Sequence, residues 1–217
     1  LNENISLNLK LKSELLLSSI TGESIKNFLP ETTDGVEKNI LAELYFKYAL
    51  NCDEEGNIET AVKYYKKCVE TSQDPKINQY LSSALTNLAT IFDENGKSDT
   101  AIKYLQESLR LDELTQNYNG IYVSTMKLAE INVVKAPQKA LEFLKRAKNC
   151  AIELNEPFYI ASSDVALGDF YYNKKDYKNA LNHYKLAHTL AKDNFAKDNI
   201  EKIETRINDI KKVYNAE

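Results

Sequence analysis

The two histidines and three cysteines are the residues of this chain best suited to metal binding or nucleophilic chemistry. His183 and His188 lie five positions apart on one predicted helix, which does not fit the i, i+4 spacing of a zinc-binding pair. Cys52, Cys68 and Cys150 form no C-x-x-C pair. We therefore interpret the histidines as solvated or partly buried helix residues and the cysteines as small apolar residues in helix packing. A redox or metal role for the cysteines is the alternative.

The sequence contains none of the common catalytic or ion-binding motifs. It has no G-x-S-x-G, phosphate-binding loop or H-E-x-x-H. The acidic runs at 53–55 and 93–94 lack the alternating ligands of a calcium loop, so we interpret them as solvated turns. The basic group at 145–148 is flanked by apolar core positions and predicts a solvated helix face. We expect a protein that is not an enzyme and that uses no cofactor or metal.

Composition predicts a folded, helix-rich protein. The 217 residues are 43% hydrophobic and 28% charged, and they include only six Gly and four Pro. The formal net charge of −4 argues against nucleic-acid binding. No apolar run approaches the roughly 18 residues of a membrane span, and the N-terminus lacks the pattern of a signal peptide. We expect a cytoplasmic protein without membrane insertion. Because the chain begins at Leu1 rather than Met, a removed leader or a missing domain stays open.

A sequence pattern that occurs four times predicts the helices that position these histidines and cysteines. "DEEGNIETAVKYYKKCV" begins at residue 53 and "DENGKSDTAIKYLQESL" at residue 93. Each copy has a small residue, a large one four positions later and a small one three positions after that, which predicts a helical face open to close approach. The four sets are Ala61, Tyr65 and Cys68; Ala101, Leu105 and Ser108; Ala140, Leu144 and Ala147; Ala180, Tyr184 and Ala187.

A second helical pattern precedes each copy, so each unit is predicted to be a helix, a short turn and a helix. "ILAELYFKYALNC" ends shortly before Gly56, and "YLSSALTNLATIF" ends shortly before Gly96. The third and fourth versions are "IYVSTMKLAEINV" and "IASSDVALGDFYY". One such pair cannot bury its apolar face alone, whereas stacked pairs bury it against each other.

This pattern resembles the tetratricopeptide repeat family over residues 36–194. The resemblance implies an all-α fold, a right-handed superhelical solenoid of antiparallel helix hairpins. The spacing near 40 residues is similar to that of bacterial peptide-sensing regulators, sensor-kinase input domains and kinesin-light-chain-like adaptors. Thr125 and Asp164 replace bulky residues of the motif, which predicts looser packing. The matching residues are Leu88, Ala89, Phe92, Gly96, Ala101 and Leu105, then Leu167, Gly168, Tyr171, Ala180, Tyr184 and Ala187.

The predicted organisation has an N-terminal segment, four repeats and a C-terminal helix. The repeats cover about 36–73, 74–116, 117–155 and 156–194. Residues 1–35 form the N-terminal segment. Strict alternation between Ile5 and Lys12 alone favours a strand, but a lone strand has no partner in a helical stack. We therefore predict a degenerate helix hairpin there.

Residues 195–217 are predicted to form a capping helix. Its apolar stripe is expected to cover the last repeat, because apolar residues alternate at spacings of three and four on an otherwise charged helix. A homodimer contact through this helix is the alternative. The stripe consists of Ile200, Ile203, Ile207, Ile210 and Tyr214.

The family resemblance implies a concave groove lined by the first helix of each repeat. Several residues expected on that wall are apolar, and an exposed apolar patch usually marks a binding site. Asn87 can pair with a peptide backbone, and Lys47 and Lys127 can hold a carboxylate. The predicted groove residues are Phe46, Lys47 and Leu50; Ser83, Thr86, Asn87 and Thr90; Val123, Met126, Lys127 and Glu130; Ser162, Val165 and Asp169.

The predicted function is a scaffold that binds a protein or peptide segment in this groove. Binding at the ends or on the convex face is an alternative location. The alternative function is a sensor or regulatory domain of a larger signalling protein, such as a peptide-sensing regulator or a kinase input domain.

Overall fold

The computed structural model describes most of the chain, and every regular element in the described part is an α-helix. Side chains are described for the same residues except 2–3, 16–21 and 214. The described backbone comprises residues 2–21, 29–30, 33–71, 80–191 and 197–214.

Ten helices follow one another along the described residues, and the all-α fold predicted from the sequence is confirmed. Turns of one to three residues separate α2 from α3, α4 from α5, α6 from α7 and α8 from α9, so these helices form four hairpins. The bounds are α1 Asn2–Thr21, α2 Lys38–Glu54, α3 Ile58–Thr71, α4 Tyr80–Glu94, α5 Ser98–Thr115, α6 Tyr118–Lys135, α7 Pro137–Glu153, α8 Pro157–Asn173, α9 Tyr177–Ala191 and α10 Lys197–Tyr214.

The chain divides into two compact units. Unit 1 is Leu1–Thr115 and contains α1 to α5, and unit 2 is Gln116–Glu217 and contains α6 to α10. Each unit therefore holds two of the four hairpins.

The core of unit 1 contains the repeated face that the sequence predicts. Ala61, Tyr65 and Cys68 on α3 are completely buried, and they pack in one cluster with Leu44 and Ala49 of α2. Small residues on both helices let the backbones approach, while the large tyrosine fills the space between them.

Helix α1 is joined to the start of α2 by a buried asparagine. The alternating residues between Ile5 and Lys12 lie within α1, so they are helical and not a strand. Asn8 Oδ1 accepts the backbone N–H of Glu37 at 2.9 Å, and Asn8 Nδ2 donates to the carbonyl oxygen of Gly35 at 3.1 Å. Because the first N–H groups of a helix have no partner inside it, Asn8 acts as a cap supplied from α1. Residues 22–28, the middle of the predicted N-terminal hairpin, lie outside the described residues.

Close helix packing in unit 2 depends on Gly168. A Cβ atom at this position would lie 2.7 Å from Cδ1 of the Tyr184 ring, so only glycine allows α8 to approach α9 here. Tyr184 is completely buried. A small residue on the first helix of the fourth hairpin thus makes room for a large residue on the second.

Helix α10 covers the last hairpin, as predicted for a capping helix. Ile203, Ile207 and Ile210 are buried in one cluster with Tyr184 and Ala187 of α9. Because this stripe packs against α9, a homodimer contact through the same stripe would require α10 to leave α9. The side chain of Tyr214 lies outside the described residues.

The two departures from the family pattern are buried rather than loosely packed. The hydroxyl of Thr125 donates to the carbonyl oxygen of Ile121 at 2.7 Å. Asp164 accepts from Lys148 and His183, both at 2.7 Å. Hydrogen bonds within and between the hairpins thus satisfy these two buried polar side chains.

Candidate functional site

A cleft of about 760 Å³ opens between α8 and α10 in unit 2. It lies within the 300–1,000 Å³ range of typical ligand pockets. Its wall combines apolar side chains with charged groups of both signs. The lining residues are Phe158, Ser162, Val165, Asp169, Tyr184, Asp198, Asn199, Glu201, Lys202, Ile203, Thr205 and Arg206.

Three of the predicted groove residues lie together in this cleft. Ser162, Val165 and Asp169 follow one another at helical spacing along α8, and all three line the wall. Val165 also packs against the cluster formed by α9 and α10. The spacing of α8 therefore brings a hydroxyl, an apolar group and a carboxylate to one surface.

A buried tyrosine holds the carboxylate of the cleft. The Tyr184 hydroxyl donates a 2.6 Å hydrogen bond to Oδ1 of Asp169. Burial of the ring, and then this carboxylate, raise the pKa of Tyr184 far above its ordinary value, so the phenol keeps its proton. Asp169 therefore stays bonded and oriented at neutral pH.

Arg206 of α10 lies beside this pair. Its guanidinium carbon is 4.9 Å from the centroid of the Tyr172 ring, which is a cation–π contact. Its Nε atom is 3.9 Å from Oδ1 of Asp169, which is an ion pair but too long for a hydrogen bond. The guanidinium is thus positioned by a ring and a carboxylate, while half of the side chain remains exposed.

The predicted residues of α6 do not line this cleft. Val123 and Glu130 are exposed, Lys127 is half-buried, and Met126 packs against the cluster that contains Leu167. These four residues therefore form a separate surface of unit 2.

In unit 1, the structure brings two predicted residues together around Tyr65. The ring centroid of Phe46 is 5.9 Å from that of Tyr65. Asn87 Nδ2 donates to the Tyr65 hydroxyl at 2.9 Å, so one of its donors is used inside the protein. Burial raises the pKa of Tyr65 far above its ordinary value, with a further contribution from Asp53. Phe46 also contacts the Tyr80 ring at 5.2 Å.

The other predicted residues of unit 1 differ in accessibility. Thr86 is buried, and its hydroxyl shares a 2.9 Å hydrogen bond with that of Ser108, so it lies inside the α4–α5 hairpin. Lys47 pairs with Glu43 at 3.1 Å on the same helix. Three further residues keep some solvent exposure: Leu50, Ser83 and Thr90.

Reasoning from sequence missed the α10 side of the cleft. Lys202 and Arg206 each precede a buried isoleucine of the apolar stripe, Ile203 and Ile207. Residues next to such a stripe lie at its edge, where they contact the neighbouring helix. The spacing thus places Lys202 and Arg206 at the edge of the stripe, but it does not show which helix they contact.

A second polar cluster lies among α7, α8 and α9. Asp164 is almost completely buried, and its Oδ1 atom contacts both Lys148 Nζ and His183 Nδ1. The His183 ring stacks on Tyr171 with centroids 5.5 Å apart. The prediction that Lys148 belongs to a solvated face is therefore wrong. This cluster ties three helices together, and its residues line neither the α8–α10 cleft nor the smaller cavity beside Leu154 and Tyr159.

Metal-binding and membrane-spanning features are not found in the described parts of the chain. No group of three or more His, Cys, Asp or Glu side chains there is arranged to hold a metal ion. Cys52, Cys68 and Cys150 are buried. No described helix combines the length and the apolar content needed to cross a membrane.

The sequence has measurable similarity to known proteins. The tetratricopeptide repeat family model matches residues 42–75, 82–113 and 165–194. The regulatory protein RapG of Bacillus subtilis (strain 168) is 22% identical over 139 residues. That alignment covers 64% of this chain but 37% of RapG, so the chain spans little more than a third of that relative.

Solved structures share the fold at low sequence identity. BtubC (BKLC) from P. vanneervenii superposes with a TM-score of 0.71 and 17% identity, over 94% of this chain and 84% of that one. The apo form of RapI superposes with a TM-score of 0.70 and 16% identity, over 97% of this chain and 60% of that one. A Rap protein complexed with Competence and Sporulation Factor superposes with a TM-score of 0.58 and 16% identity, over 97% of this chain and 61% of that one. Tetratricopeptide repeats thus match three segments of this chain, and the solved structures share its helical fold.

Proposed function

We propose that this chain is a non-catalytic scaffold that binds a peptide or an extended protein segment, and that the α8–α10 cleft is a binding site. The observation that carries the proposal is the cleft itself, where three predicted residues of α8 meet charged residues of α10. Pockets of this kind bind ligands through an apolar surface and a few oriented polar groups.

The cleft has the chemistry that a peptide requires. Phe158 is 48% exposed and, with Val165, offers an apolar surface for a side chain. Ser162 and Asp169 offer polar atoms for the ligand's backbone or polar groups. Burial of the apolar surface would supply most of the affinity, and the polar groups would select the orientation.

The comparisons support the same class of function. Tetratricopeptide repeats match three segments of the chain, and one structure of similar fold is a Rap protein in complex with Competence and Sporulation Factor. Binding of a protein or peptide ligand is thus consistent with the family. We further propose a cytoplasmic location, which suits three cysteines that are buried as thiols.

The second candidate function is regulatory. RapG carries the description regulatory protein, and the chain aligns with only 37% of its length. We therefore propose, as the alternative, that these repeats sense a ligand within a larger signalling protein. Ligand binding would then change the activity of a segment outside these 217 residues.

A peptide selection tests the proposed site. A displayed library of random eight-residue peptides would be selected against the 217-residue chain, and the affinities of enriched peptides measured by fluorescence polarisation. Thr205→Tyr places a bulky neutral side chain in the cleft, whereas Asn208→Tyr makes a similar change on an exposed part of α10 outside the lining.

We expect Thr205→Tyr to weaken binding by roughly tenfold or more, because the ring occupies space that the ligand needs. Asn208→Tyr should bind like the wild type. Failure to enrich any peptide would contradict the proposed function, and equal binding by both variants would move the site away from the cleft.

A further inference from the structure

We propose that the α8–α10 cleft recognises a carboxylate group on its ligand, held by Arg206 and Lys202. This inference rests on the proposed function, because it names the chemistry of the ligand that the proposed site takes.

The Arg206 guanidinium is fixed in place but keeps its hydrogen-bonding capacity. The cation–π contact with Tyr172 and the ion pair with Asp169 restrict its position. In the described part of the chain, none of its N–H groups has a hydrogen-bond acceptor, since Asp169 lies 3.9 Å from Nε. A planar guanidinium with several unused donors fits the two oxygens of a carboxylate in a bidentate pair.

Asp169 does not compete strongly for these donors. The Oδ1 atom that lies 3.9 Å from Arg206 already accepts the short bond from the buried Tyr184 hydroxyl. Asp169 therefore orients Arg206 through charge, in the way that supporting residues orient a binding group.

Lys202 supplies a second cation on the same edge of α10. It precedes Arg206 by four positions, so the two side chains project from the same face of the helix, and both line the cleft. Lys202 is exposed and has no ion pair among the described residues. An ammonium one turn from a guanidinium strengthens the attraction for a single anionic group.

The charge balance of the cleft selects a carboxylate over a polyanion. Asp169, Asp198 and Glu201 line the same space, so the acids outnumber the two bases. A phosphodiester backbone would meet these acids along its length, whereas one carboxylate needs only the Arg206 end. Phe158 and Val165 place an apolar surface in the same cleft, which suits a carboxylate that belongs to a largely apolar peptide.

The charges of the two units favour the same ligand. Residues 116–217 contain 16 Lys or Arg and 13 Asp or Glu, a formal charge of +3. Residues 1–115 contain 12 Lys or Arg and 19 Asp or Glu, a formal charge of −7. An acidic ligand is thus drawn to the unit that contains the cleft.

The test compares matched forms of one peptide. A peptide enriched by the 217-residue chain would be synthesised with a free carboxyl end, with an amidated end, and with every Asp and Glu replaced by Asn and Gln. The protein variants are Arg206→Gln and Lys202→Gln, and the control is Lys211→Gln, an exposed lysine of α10 outside the cleft. Circular dichroism melting would verify that all variants fold.

We expect Arg206→Gln and removal of the recognised carboxylate each to weaken binding roughly tenfold or more, because hydrogen bonds to charged groups are strong. Lys202→Gln should weaken binding less, and Lys211→Gln should not change it. Sensitivity to amidation would identify the chain-terminal carboxylate, and sensitivity to Asn and Gln replacement a side-chain carboxylate.

The outcomes separate this inference from the proposed function. Peptides that bind equally well without any carboxylate, or equally well to Arg206→Gln, would overturn carboxylate recognition while peptide binding stands. A wild-type chain that enriches no peptide would overturn both.

Discussion

The hydroxyl group of Tyr184 donates a 2.6 Å hydrogen bond to Oδ1 of Asp169. The tyrosine, on α9, is completely buried, whereas 47% of the Asp169 side chain is exposed in the cleft. One bond therefore joins the core of the last hairpin to the wall of the proposed site. Changes in the packing of Tyr184 are expected to reach the binding surface through this bond.

Tyr184→Phe should lower the free energy of unfolding by about 1 kcal/mol. The change keeps the buried ring and removes one hydrogen bond to a charged group, while the half-exposed Asp169 can bind water instead. Urea denaturation measures the effect. Tyr177→Phe, at a partly buried tyrosine with no such bond, is the control and should stay near the wild type. A Tyr184→Phe variant as stable as this control would show that the bond contributes nothing.

Stability should fall when the pH rises above about 10. The pKa values of Tyr65 and Tyr184 are raised in the folded state, mainly by burial, whereas an unfolded tyrosine ionises near pH 10. Below this pH both states keep the two protons, and above it only the folded state does. Each residue then lowers the free energy of unfolding by at most about 1.4 kcal/mol per pH unit.

The contribution of these two tyrosines is measured by comparison with a double variant. Tyr65→Phe combined with Tyr184→Phe should show a shallower loss of stability between pH 10 and 11 in urea denaturation. Absorbance near 295 nm reports ionised tyrosine. In the folded wild type this absorbance should rise first through other tyrosines, because Tyr65 and Tyr184 ionise at a higher pH. Identical slopes for the wild type and the double variant would contradict the raised pKa values.

The buried carboxylate of Asp164 should make Lys148 important for stability. Lys148→Met removes the cation from Asp164 and leaves the His183 ring as its contact among the described residues, which should destabilise the fold by about 2 kcal/mol. Adding Asp164→Leu should recover much of this loss, because an apolar residue no longer needs the cation. A double-mutant cycle by urea denaturation gives the coupling energy.

An exposed ion pair is the control for this cycle. Lys197 and Glu201 lie 3.8 Å apart on the surface of α10, and their coupling should be close to the experimental error. If adding Asp164→Leu makes the Lys148→Met variant still less stable, the cluster does not stabilise the fold through its ion pair.

Asn8→Ala should loosen α1 more than the rest of unit 1. The side chain bonds Glu37 and Gly35 across 29 and 27 positions, so its loss removes the cap of α2 and two of the hydrogen bonds that join α1 to the start of α2. Amide hydrogen exchange should become faster in α1 while α4 keeps its protection. Ser6→Ala, an exposed change on α1, should leave exchange as it is. Uniform acceleration in α1 and α4 would contradict this local role.

The helical face of α8 was predictable because its signal is local. Ser162, Val165 and Asp169 share a surface by helical spacing alone, and all three line the cleft. The same spacing selected Thr86, which is buried and bonded to Ser108. Periodicity gives the direction of a side chain around its own helix, but whether a neighbouring helix covers that direction depends on packing.

The repeated hairpins followed from the sequence by itself, because small and large residues at fixed spacing dictate which helical faces pack together. The acidic residue at position 164 was visible in the sequence, but its partners were not. Lys148 and His183 are 16 and 19 positions away on other helices. The meeting of Arg206 with Tyr172 and Asp169 is likewise nonlocal, since it requires α10 to lie against the last hairpin. The tertiary structure alone decided these contacts, because burial and charge pairing act on whatever side chains the packed helices bring within reach.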